Sequence, residues 1–252
     1  MPVSSVQYGQ TPWKYANGLK LSNNATTPNT KIDCATGSIL DSTGVYQIVV
    51  DSALTLNAAV NGLNGLDTGS FAASKIYIVY VIADPVTLQA EGLLMSLSET
   101  APLMPFGYSV FAKVGYAISD AAVHFLPGYW TAGNSATRKF VYDAPQATAV
   151  TAGAATSYTA VALTNLVPAI EGTPVSIAFA FTPGAASRTL KMTPGNGTGD
   201  AVTITGQVAA VVISDNVEVF SRVTSAVPEI DYKVSNGDSA VAINVAGYTF
   251  FI

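Results

Sequence analysis

The chain has 252 residues, of which 49% are apolar and only 11% charged, with a formal net charge of -5. A chain this long encloses a real hydrophobic core, as one large β domain or as two ordinary ones, and two domains are expected here. Eight Lys and three Arg are scattered without a basic cluster, and no apolar run approaches the roughly 18 residues of a membrane span, so neither nucleic-acid binding nor membrane insertion is expected.

Average soluble proteins carry roughly 25% charged residues. With far fewer, this chain must build its solvated surface from Ser, Thr, Asn, Gln and Gly, and such a surface repels copies and neighbours only weakly. The start Met1-Pro2-Val3-Ser4 has no basic stretch followed by an apolar one, so no secretory signal is read there and synthesis in a bacterial cytoplasm fits. The lone Cys34, flanked by Ile32 and Ala35, rules out an internal disulfide framework and a cysteine-based metal site, and reads as a small core residue.

In chain order, residues 11–21 lack a helical period and hold Pro12, Trp13, Tyr15 and Gly18, which predicts an extended arm with aromatic anchors. Strands are predicted at 31–34, 38–40, 45–50, 76–82, 92–97 and 111–119, separated by Gly, Pro, Asn and Asp. Residues 75–83 (KIYIVYVIA) form the strongest, an unbroken β-branched and aromatic run expected to be buried on both faces. Pro102, Pro105 and Gly107 mark a loop. The Ala/Thr/Gly/Ser-rich stretch 145–157 reads as a linker or slack edge.

A second β pattern follows at 159–166, 174–181, 188–192, 201–207, 209–213, 217–222, 229–233 and 240–251. Its turns are expected at Pro183-Gly184, at 194–197, at Asp215-Asn216 and at Asn236-Gly237-Asp238, the last being the strongest two-residue hairpin signal. The fold class is therefore all-β: an N-terminal β domain at 1–145 followed by a C-terminal antiparallel β-sandwich at 146–252.

Chemistry is sparse. A Ser-His-Asp arrangement has only His124 to shuttle its proton, and no nucleophile elbow accompanies it. Glu91, Glu99, Glu171, Glu218 and Glu229 are far apart in sequence, so no spacing singles out the carboxylate pair of a glycosidase. The Gly-rich piece 194–200 precedes a Thr/Val strand rather than a helix, so it is a hairpin loop and not a phosphate cradle. No catalytic residue, metal ligand or cofactor site is assigned. The aromatic residues Phe125, Tyr129 and Trp130 beside Gly128 and Pro127, together with Trp13 and Tyr15, are the candidates for contact with a partner or ligand.

The stretch WKYANGLKLS at 13–22, followed by Asn23, Asn24, Pro28, Ile32, Gly37, Asp41, Ser42 and then Gly65-Leu66-Asp67-Thr68-Gly69, resembles an opening pattern of tailed-bacteriophage virion proteins. The segment SLSETAPLMPFGYSVFAKVGYAISD at 96–120 is similar to a later passage of the same proteins, and residues 231–234 with Gly247-Tyr248 look like the closing hairpin of sandwich domains on phage fibres. The resemblance implies a non-enzymatic virion structural protein, a tail fibre or tail-attached protein that docks on the particle and presents its sandwich for host attachment. Its implied partners are other virion proteins of the tail or capsid, further copies of itself in a homo-oligomer such as a homotrimer, and a host surface glycan or protein. The alternatives are a capsid decoration protein stabilising the head and a virion-associated polysaccharide depolymerase.

Overall fold

A computed structural model describes residues 16–131, 137–195 and 202–251. Among these residues there is no helix, and the protein is all-β. The first half forms β1 (Ala16–Gly18), β2 (Leu21–Asn23), β3 (Lys31–Cys34), β4 (Gly37–Leu40), β5 (Gln47–Val50), β6 (Leu54–Asn57), β7 (Gly65–Leu66), β8 (Ile76–Ala83), β9 (Ala90–Ser96), β10 (Val110–Ile118), β11 (Gly128–Trp130) and β12 (Thr137–Ala147). The second half forms β13 (Thr159–Ala162), β14 (Pro174–Thr182), β15 (Arg188–Pro194), β16 (Val202–Gly206), β17 (Ile213–Phe220), β18 (Arg222–Thr224), β19 (Val227–Val234) and β20 (Ala240–Phe251).

β8 is the buried strand that its composition predicts, with every residue from Tyr77 to Ala83 buried. It lies inside a four-stranded sheet of order β10-β8-β9-β7, which explains why both its faces are apolar. β14 alternates instead: Val175, Ile177, Phe179 and Phe181 are buried, while Ser176, Ala178 and Ala180 are half-buried. Its buried face belongs to the same core as Leu190 and Met192 of β15 and Ile230, Tyr232 and Val234 of β19, which lie in a separate five-stranded sheet. Each fully buried side chain of this size contributes about 1.5–3 kcal/mol against exposure.

One sheet runs through both halves. Its eight strands lie in the order β17-β14-β20-β12-β11-β2-β3-β6, so strands of the second half continue without a break into strands of the first. β12 is the hinge of this continuity, pairing with β11 on one side and β20 on the other, and it straddles the division expected at 145/146. The stretch expected to be slack is pinned along β20: the Thr148 hydroxyl donates to the Ile243 carbonyl at 2.7 Å, and Gly153 and Val241 exchange backbone hydrogen bonds at 2.7 and 2.9 Å. Small side chains there reflect close approach of backbone to β20, not slackness.

Two expected turns differ. Asp215 and Asn216 sit within β17, paired with Phe179 and Ala178 of β14; on an exposed edge strand polar residues are tolerated, and their turn preference is overridden. Asn236-Gly237 does lie in a turn, but β19 and β20 belong to different sheets, so it carries the chain across the sandwich and closes no hairpin. Neither residue has the positive φ that a tight hairpin turn demands.

Candidate functional site

Of the aromatic residues singled out in the sequence, Trp13 and Tyr15 lie outside the described residues. Phe125 is buried against Phe71, with ring centroids 4.7 Å apart. Trp130 is buried in a cluster with Phe140 at 4.6 Å and Phe250 at 4.8 Å, and so holds β11 to β12 and β20. Core packing claims both rings. Tyr129, the residue between β11's inward positions, is 44% exposed with the Lys20 ammonium 5.8 Å from its ring centre. His124 is half exposed, its Nδ1 3.8 Å from Asp120, and the Asp120 carboxylate is already engaged by the backbone N–H groups of Ala122 and His124 at 2.8 Å. That geometry fixes a loop and supplies no nucleophile.

Two other places stand out. The first is an apolar tip at one end of the N-terminal half. In β8 and β10, Ala83 pairs with Val110, so the loops 84–89 and 104–109 emerge side by side. The turn between β4 and β5 joins them through a hydrogen bond from Ser42 N–H to the Phe111 carbonyl at 2.8 Å, and Val49 forms a parallel bridge with Gln89 at the end of the 84–89 loop. Phe106 is fully exposed, Val86 is 87% exposed, and Val45 and Tyr46 are exposed beside them.

Two of these turns are held from within. The buried Asp41 carboxylate accepts hydrogen bonds from the Thr43 hydroxyl at 2.6 Å and from the N–H groups of Val45 and Tyr46 at 2.9 Å. Burial by itself raises this carboxyl's pKa, but the hydrogen bonds from Thr43, Tyr46 and Val45 outweigh it and hold the group below its ordinary range. Asp84 does the same for Thr87 at 2.7 Å and Val86 at 2.8 Å, and those backbone donors likewise lower its carboxyl. Large apolar side chains are thereby presented to solvent on turns whose ordering cost is already met in the free protein.

The second place is a groove where the two halves meet. The segment 97–109 runs back along β8, and the Tyr80 hydroxyl donates to the carbonyls of Ser98 and Glu99 at 2.7 and 2.9 Å. This sets the Glu99 carboxylate against Lys113 in an ion pair, with the buried Tyr116 hydroxyl donating to its two oxygens at 3.0 and 3.1 Å. Lys113 Nζ also donates to the Tyr116 oxygen at 3.3 Å. Burial, and then the neighbouring Glu99 charge, raise the Tyr116 phenol far above its ordinary value, so it stays a donor throughout the physiological range.

Glu99 lines three adjoining clefts of about 390, 320 and 330 Å³. The first is walled by β4 and β10, the second by residues 170–174 and the end of β20, and the third by residues 164–170 and the ends of β8 and β10. Sequence reasoning noted Glu99 and Glu171 but had no means to bring them together; the fold places both on one cleft. One Glu171 oxygen accepts the Val223 N–H at 2.7 Å. No group of three or more metal-ligating side chains occurs among the described residues.

No family model matches the chain, and no curated protein matches it. Among solved structures it is similar to an exo-β-1,3-galactanase from Phanerochaete chrysosporium with galactose, at 12% identity over 92% of this chain and 68% of that one, with a TM-score of 0.23. It is also similar to a structure of infectious bursal disease virus Gx strain, at 12% identity over 97% of this chain and 73% of that one, with a TM-score of 0.26. Similarity to an Arthrobacter globiformis T6 isomalto-dextranase complexed with panose, at 12% identity and a TM-score of 0.21, spans 36% of that chain. Overlaps of this quality lay strands on strands, and no activity follows from them.

Proposed function

We propose that this protein is a non-enzymatic structural component of a tailed-phage virion, a tail fibre or tail-attached protein. The observation that carries the reading is the tip: two pinned turns and the adjoining loop 104–109, which hold Val45, Tyr46, Val86 and Phe106 out into solvent at one end of the N-terminal half. Exposed large side chains in one rigid place mark an interaction surface, because nothing within the fold rewards their exposure. The sequence resemblance supplies the particle as the partner that covers them. A surface with few charges and a sheet continuous from one half to the other suit a part that is packed among neighbours and carries load. The capsid decoration role is the rival that the same surface serves.

Replacing Phe106 and Val86 by Ser tests the docking role. Both side chains are solvated, so the thermal midpoint of the purified double variant stays within a few degrees of the parent, as expected for surface changes of about 0.5 kcal/mol or less. Its incorporation into purified particles, read by quantitative immunoblotting against the parent, falls at least tenfold. Normal incorporation of the double variant would remove the tip from the assembly surface.

A further inference from the structure

We propose that the groove around Glu99 and Lys113 is a binding site for a neutral, hydroxyl-rich oligosaccharide. This rests on the tail-fibre reading above and deepens it by naming a place and a ligand chemistry for host contact. Three adjoining clefts that share one carboxylate make an elongated site rather than a single pit, and their volumes fall within the range of about 300–1,000 Å³ typical of ligand pockets.

The charges select the ligand. Asp41, Glu99 and Glu171 line two of the clefts against the single ammonium of Lys113, which disfavours an anion. Asp41 is engaged by its own turn and Glu99 by Lys113 and Tyr116, so these carboxylates call for hydrogen-bond donors rather than for a counter-ion. Acceptors outnumber donors at the centre: Glu99 offers lone pairs beyond those taken by Lys113 and Tyr116, Glu171 offers a second oxygen, and Lys113 keeps one N–H after serving Glu99 and Tyr116. Sugar hydroxyls can donate to these carboxylates and accept from the spare Lys113 N–H.

Phe251 supplies the apolar component. It is 67% exposed at the end of β20, beside Thr249 and the Glu99–Lys113 pair, where a flat ring can cover the apolar face of a pyranose. The site exists only because both halves share a sheet: Glu99 and Lys113 come from the first and Glu171 and Phe251 from the second.

The test is saturation-transfer NMR on the whole purified protein with maltohexaose, cellohexaose and isomaltohexaose, with hexagalacturonate and hexalysine as charged controls. The expected result is transfer to at least one neutral hexaose at millimolar concentration, with affinity lowered roughly tenfold, the equivalent of about 1.4 kcal/mol, by Phe251→Ala and by Glu99→Gln. Phe251 is exposed, so its replacement leaves folding intact, which the thermal midpoint verifies. Transfer to none of the neutral sugars, transfer to a charged control alone, or binding unchanged in both variants would each overturn the proposal. Because purified protein is used, such failure leaves the particle assignment standing, and failed incorporation of tip variants leaves the groove standing.

Discussion

Arg138 is 2% exposed, and its Nε and both Nη atoms lack a hydrogen-bond partner among the described residues. Removing a guanidinium from water without pairing it is costly, and burial accordingly lowers its pKa from the ordinary arginine value. Its neighbour Cys34 opposes this lowering only in part, since burial pushes that thiol up to about 12 against the opposing pull of Arg138, and a neutral thiol is a poor partner for a cation. Arg138→Met keeps most of the volume and removes the charge. The variant is expected to gain about 1 kcal/mol or more in urea unfolding, and a loss of similar size would show that the guanidinium is paired. The core placement of Cys34 was legible from its apolar neighbours. Arg138 was not: in sequence it is one of three scattered arginines, and only the inward alternation of Arg138, Phe140 and Tyr142 along β12 buries it.

At the scale of elements, runs with a strong pattern were legible. β3 and β20 have the expected bounds, β8 and β14 differ by one residue at an end, and the buried faces of β8 and β14 follow from their composition. The short strands β1, β2, β6, β7 and β11 escaped because two to four residues carry no usable alternation, and each depends on its neighbours for pairing. Strand pairing also explains the candidate aromatics: inward positions on β11 send Trp130 into the core and leave only Tyr129 outside. β20 illustrates how backbone approach constrains a strand. A Cβ on Gly247 would stand 2.2 Å from the Phe140 carbonyl oxygen, within backbone that pairs with β12 on one side and β14 on the other. Gly247→Ala therefore forces the central strands apart and is expected to cost about 1–3 kcal/mol. A chemical-denaturation midpoint unchanged by that substitution would contradict the pairing at this position.

For the whole molecule, the decisive feature is the eight-stranded sheet shared by both halves. Composition suggested a division near residue 145, because small polar residues read alike in a linker and in a strand flank that lies close against another strand. The groove stayed invisible for the same reason: Glu99 and Glu171 are 72 positions apart and meet only when β12 joins the halves. A continuous sheet predicts that the chain melts in one cooperative calorimetric transition with matching calorimetric and van't Hoff enthalpies. Two separate transitions would mean that the halves are energetically independent.

Immunogold electron microscopy of intact particles with an antibody raised to residues 146–252 tests most directly the proposed place of this protein on the tail of a virion. Gold on the tail is the predicted result. Even coverage of the head would replace the fibre reading with a decoration role, and particles that carry no gold while the same antibody detects no protein in their disrupted components would contradict the virion assignment.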